Sequence, residues 1–198
     1  YWKITVNDGY ETVESEVRQF VAFDSPTRAW NFVTADGPDS NHGPDDIKAV
    51  SISDDGNYIV IGSTNDHVYL FSKSSNNPLW YYKTGGDVGT VAISSDGNYI
   101  VAGSDDARVY FFSKNSNSSL WSNNLDGNQV KHVSISGDGE DIAVVTQHKL
   151  YFFDKDSNSP LWSSSAGSAE GVKISHDGEY IALGTNSYIR LFGKDSST

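Results

Sequence analysis

The chain has 198 residues, enough for one sizeable core, and its 20% charged and 13% aromatic content belongs to a globular chain rather than a disordered one. A net charge of −12 argues against a nucleic-acid backbone or an anionic membrane surface as partner, and no apolar run is long enough to span a bilayer as a helix. Cysteine is absent, which removes disulfides, thiolate metal sites and thiol nucleophiles together.

In chain order, Tyr1-Trp2-Lys3-Ile4-Thr5-Val6 reads as a strand. Val17–Asp24 then reads as a third strand and Ala29–Thr34 as a fourth, so residues 1–46 form an irregular first unit that has lost a strand or two. Asp36–Asp46 (DGPDSNHGPDD) follows as a long polar loop, and long loops in compact domains are often functional. In it Asp36, Asp39, His42, Asp45 and Asp46 could chelate calcium or present an acidic contact. The alternative is a Gly/Pro-rich insertion without a site.

From residue 47 a repeat takes over. Val50, Val91, Val133 and Val172 open successive copies at intervals of 41, 42 and 39 residues, and the units span 47–87, 88–129, 130–169 and 170–198. One copy runs Val91-Ala92-Ile93, a turn at Asp96-Gly97, a buried strand Tyr99–Gly103, a polar turn, and Arg108–Phe112. A Ser/Asn-rich loop then precedes Leu120-Trp121. Asp-Gly between alternating runs is a hairpin signal, since glycine tolerates the positive φ such turns need. The pair recurs at Asp55-Gly56, Asp138-Gly139 and Asp177-Gly178. Four strands per unit at this period predict stacked antiparallel blades: an all-β β-propeller of about five four-stranded blades in one domain, 1–198.

Trp80, Trp121 and Trp162 recur every 41 residues at the start of the fourth strand, and Phe71, Phe112, Phe153 and Phe192 recur in the third. A residue repeated in every unit serves packing between sheets more often than ligand stacking, so these are expected core.

The chain stops after the third strand of its last unit, where the pattern next calls for an outer strand with its Trp. Tyr1-Trp2-Lys3-Ile4-Thr5-Val6 resembles Leu79-Trp80-Tyr81-Tyr82-Lys83-Thr84, which makes Tyr1, Trp2, Ile4 and Val6 the candidate partner strand. It could close the ring on its own last blade or be donated to the last blade of another copy. It could also be merely the second strand of the first blade, or the chain a piece of a larger propeller.

The pattern V-x-I-S-x-D-G-x-Y-I, G-S, V-Y-F-F, P-L-W resembles WD-repeat-like and quinoprotein-like β-propellers of bacteria and archaea, well over 47–192 and weakly over 17–34. No Gly-His pair precedes the first strand, and Phe71-Ser72, Phe112-Ser113, Phe153-Asp154 and Phe192-Gly193 stand where the Trp-Asp dipeptide would be. The polar tetrad of that family is therefore expected to be absent. Quinone dehydrogenases of the propeller class often carry a vicinal cysteine pair, which this chain cannot form.

The histidines His42, His67, His132, His148 and His176 show no ligand spacing, and Asp54, Asp55, Asp96, Asp138 and Asp177 are explained by turn preference. No G-x-S-x-G or phosphate-cradle context appears. The expectation is a non-enzymatic module without catalytic, cofactor or metal residues. Its partner would be protein, copies of itself included, with neither nucleic acid nor membrane insertion. A Ser/Asn/Gly-rich surface, a start without Met and the sequon at Asn117 favour an extracellular or cell-surface setting with any signal peptide removed. The alternative is a propeller that binds a ligand or cofactor, as a quinoprotein-like sensor or enzyme.

Overall fold

A computed structural model describes residues 5–7, 12–14, 29–32, 34 and 45–195. All its regular elements are strands. β1 (Thr5–Asn7) and β2 (Thr12–Glu14) form an antiparallel pair with Val6 opposite Val13. The first full blade is β3 (Ile47–Ile52), β4 (Tyr58–Ser63), β5 (His67–Ser72) and β6 (Trp80–Lys83), paired in that order. The second is β7 (Val88–Ile93), β8 (Tyr99–Ser104), β9 (Arg108–Ser113) and β10 (Ser119–Asn124). The third is β11 (Val130–Ile135), β12 (Asp141–Thr146), β13 (Lys149–Asp154) and β14 (Trp162–Ser165). The last has three strands, β15 (Ala169–Ile174), β16 (Tyr180–Thr185) and β17 (Ile189–Gly193).

The hairpin between the first two strands is built identically each time. Ser53, Ser94, Ser136 and Ser175 donate their hydroxyls to the carboxylates of Asp55, Asp96, Asp138 and Asp177 at 2.6–2.7 Å. Each carboxylate also accepts the N–H two residues on. The glycine after it takes positive φ, 67° to 80°, a region that costs other residues strain. Turn preference thus accounts for these aspartates, as expected.

Successive sheets stack face to face with β3, β7, β11 and β15 side by side on the inside. The nearly continuous apolar runs of the second and third strands follow from burial on both faces. One face of a blade supplies Val60, Val68 and Leu70, and the next blade answers with Val91, Ile93, Ile100 and Phe112. The same partition recurs at the next two interfaces.

Sequence and structure differ at the start of the chain. Tyr1, Trp2, Ile4 and the predicted strand at 17–24 lie outside the described residues. Val6, which could close the last blade of its own chain, be donated to another copy or belong to the first blade, pairs with Val13 of β2. The sequence predicts a fourth strand over Ala29–Thr34, yet residues 29–32 and 34 join no strand ladder.

Candidate functional site

The contacts that join one blade to the next define what the two ends of the array lack. Trp80, Trp121 and Trp162 each donate an indole N–H to the backbone carbonyl of Lys114, Lys155 and Lys194 in the following blade, at 2.6–2.8 Å. Each indole also lies against that blade's aromatic position, Phe112, Phe153 or Phe192, at 5.5–5.8 Å. The recurring Trp is a packing residue, as its period implied.

Trp30 makes the same contacts to the first full blade, donating to the Lys73 carbonyl at 2.7 Å and stacking on Phe71 at 5.6 Å. Phe32 sits on Phe71 and Tyr69 as Tyr82 sits on Phe112 and Tyr110. The Thr34 hydroxyl bonds the Asp45 carbonyl at 2.7 Å, as Thr84 bonds Gly86. Trp30-Asn31-Phe32 therefore stands where the outer strand of a preceding blade would stand.

Three further devices mark the joints. At the inner hairpins the N–H of Asp54 donates to Ser95 O, Ser95 N–H to Gly137 O, and Gly137 N–H to His176 O, at 2.8–3.0 Å. Between the inner strands, β4 and β8 each offer a glycine socket. A Cβ at Gly62 would strike Val88, and one at Gly103 would strike Val130. At the third joint the sizes are exchanged: Val145 replaces the glycine and Ala169 replaces the valine, in one core. A third contact sets Tyr58 and Tyr99 against Gly97 and Gly139 of the next hairpin.

At the ends the hairpin, glycine-socket and tyrosine positions have no counterpart among the described residues. On the last blade Ile189 is 75% and Leu191 69% exposed, where Val109, Leu150, Phe111 and Phe152 at matching positions are fully buried. Tyr180 is exposed, and the Gly184 socket opens into a groove of about 390 Å³ lined by Lys173, Ala182 and Thr185. No fourth strand pairs with β17 among the described residues. On the first full blade Val50 is 67% and Ile52 57% exposed, Ile47 is exposed too, and Gly56 has nothing within 4 Å of where a Cβ would sit. Burying such a side chain contributes on the order of 2 kcal/mol, so both faces favour a cover.

The acidic loop gives less. Asp36, Asp39 and His42 lie outside the described residues. Asp45 and Asp46 are committed through their backbones to Thr34, Ser63 and Thr64, and Asp46 holds Lys48 at 3.1 Å. His67 contacts the Asn65 carbonyl at 2.5 Å and stacks on Tyr69, while His148 lies on an exposed bend. Among the described residues no three His, Asp or Glu side chains group as for a metal, and no helix is long and apolar enough to cross a membrane. Asn117 is exposed in the turn between β9 and β10.

One joint departs from the pattern. Lys114 of the second blade lies over the Tyr58 ring at 4.8 Å, but the equivalent of Tyr58 in the third blade is Asp141. Lys194 answers it with an ion pair at 2.8 Å. Burial raises the Asp141 pKa despite that lysine, and the hydrogen bond to Asp141 raises the lysine's own. Asp141 Oδ1 is buried without a partner. Tyr151, buried and donating to Asp126, is pushed up to about 12 by desolvation and that carboxylate.

Comparison with known families follows the same architecture. The model of the family described as outer membrane protein assembly factor BamB matches residues 64–194. The WD domain, G-beta repeat, matches residues 39–72. No curated protein matches the chain.

Proposed function

The chain belongs to the outer membrane protein assembly factor BamB family, and from that premise we propose that it is a non-enzymatic, extracellular structural module that binds protein at the open end of its blade array. Propeller domains of the two matched kinds generally mediate protein interactions. The observation that carries the reading is the outward face of β17, which exposes Ile189 and Leu191 where the inner blades bury their equivalents. A sheet edge beside an apolar face takes an extended segment through main-chain hydrogen bonds, with alternate side chains filling the face. The binding mode is strand addition at β17. The extracellular setting is supported by the Ser/Asn-rich surface and the exposed sequon at Asn117.

A peptide copying Leu79–Thr84, the fourth strand of the first full blade, tests this. It should bind the chain, shift its own tryptophan fluorescence and protect β17 amides from exchange. Leu191→Asp should abolish both effects. Absence of binding to the unaltered chain would end the proposal.

A further inference from the structure

We propose that Asn117 is a modification site that carries an N-linked oligosaccharide. This rests on the extracellular setting proposed above and adds a covalent feature to it. Of the 15 asparagines in the chain, only Asn117 has Ser or Thr two residues on with no proline between. That spacing lets a transferase hold the hydroxyl while the amide reacts. In the turn between the third and fourth strands, each full blade places an asparagine three residues after the lysine whose carbonyl receives a Trp: Asn76, Asn117 and Asn158. Two residues further on stand Pro78, Ser119 and Pro160. Of these blades only the second exchanges the proline for a hydroxyl residue.

The fold leaves this asparagine free to react. Asn117 is exposed, and its amide makes no hydrogen bond among the described residues, whereas Asn76 donates to the Asn31 carbonyl at 3.1 Å. The turn is held without it: Ser116 N–H donates to the Ser113 carbonyl at 3.2 Å, and Ser118 N–H to the Ser116 hydroxyl at 3.1 Å. A group added at Asn117 therefore breaks no contact. Ser119 also changes the backbone. β6 and β14 begin at Trp80 and Trp162, after the proline, but β10 begins at Ser119, which stands opposite Phe112; proline has no N–H to give to a ladder. The sequon thus runs from an open turn into an extended strand end. Leu120, next along, is 53% exposed although the second blade has a neighbour on each side, so this rim stays open whatever lies beyond the ends of the array. In the reaction, Asn117 Nδ2 attacks the anomeric carbon of an oligosaccharide carried on a polyprenyl pyrophosphate. The C1–N bond forms, the C1–O bond to phosphate breaks, and the amide proton passes to solvent as the lipid pyrophosphate leaves.

Incubating the purified, folded chain with an oligosaccharyltransferase and a polyprenyl-pyrophosphate oligosaccharide should add the mass of one glycan, placed on Asn117 by peptide mapping. Asn117→Gln should lose that increment, and so should Ser119→Pro, which installs the residue of the other two blades; both should leave the circular dichroism spectrum unchanged. Ser119→Thr, which keeps the hydroxyl, should retain the increment. No addition to the unaltered chain, or addition at another residue, would overturn the inference and leave the extracellular setting standing, since an exported protein need carry no sugar. The chain isolated from its own cells should show the same increment, removed by a glycoamidase that converts Asn117 to Asp. An unmodified chain secreted by those cells would overturn the inference alone. A chain confined to the cytosol would overturn the setting together with it.

Discussion

The joint between the second and third blades and the two ends of the array are made of the same residue types in opposite surroundings. Phe111 is buried under the third blade, with Trp121 stacked beside it and bonded to Lys155. Leu191, at the matching position of the last blade, faces solvent. The local sequence of a blade therefore does not decide whether its face is core or surface; the neighbouring blade does. Propeller blades resemble other stacked repeats in this respect, with nearest-neighbour contacts supplying most of the burial.

The widest contrast is expected from truncating equivalent residues. Phe152→Ala in the third joint should cost about 3–5 kcal/mol, and Leu191→Ala in dilute solution less than about 1 kcal/mol, both by urea unfolding. Equal losses at the two positions would mean that the end face is covered within the single chain. Next comes the charged joint. Lys194→Met leaves the buried Asp141 carboxylate without its counterion and should cost about 2 kcal/mol at neutral pH, less than a fully buried pair would lose because the lysine is partly exposed.

The sign of its pH dependence follows from Asp141. Folding raises that pKa above 3.8, so protonation favours the fold, and the favourable contribution is present below pH about 4 and lost as pH rises through the raised value. The Lys194→Met defect should therefore shrink on acidification. Asp141→Tyr restores the aromatic residue seen at Tyr58 and Tyr99 over a hairpin glycine and removes an unpartnered buried oxygen. It should raise stability by about 1 kcal/mol, read as a shift in the urea midpoint. A loss instead would show that the joint needs its ion pair.

A smaller effect separates the Trp relay of the middle from that of the edge. Trp121→Phe removes a part-buried hydrogen bond and should cost about 1 kcal/mol, whereas Trp30→Phe, whose bond is exposed, should cost less. The smallest effect lies in the hairpins. Hydrogen bonds from Ser53 and Ser175, then from the following backbone N–H groups, hold Asp55 and Asp177 below the ordinary carboxylate value. Their contribution is present above pH about 4 and lost as pH falls through the lowered values. Asp55→Asn with Asp177→Asn should flatten the acid limb of the stability profile without moving it near neutrality.

The period, the Asp-Gly hairpins, the four strands of each full blade and the packing role of Trp80, Trp121 and Trp162 were all legible in the sequence. These features depend on local turn chemistry and on apolar patterning that each unit repeats for itself. Which segment stands in for the missing outer strand was not legible. Tyr1–Val6 and Ala29–Thr34 both look like fourth strands, and the structure seats the second on Lys73 and Phe71 of the first full blade rather than on β17. The open ends were equally hidden, because Ile189 and Leu191 read as core by the same pattern that buries Val109 and Phe111. Pattern records which faces are apolar. Whether an apolar face meets a neighbour is a long-range fact, set by how many blades the array presents and by what comes to rest against its last one.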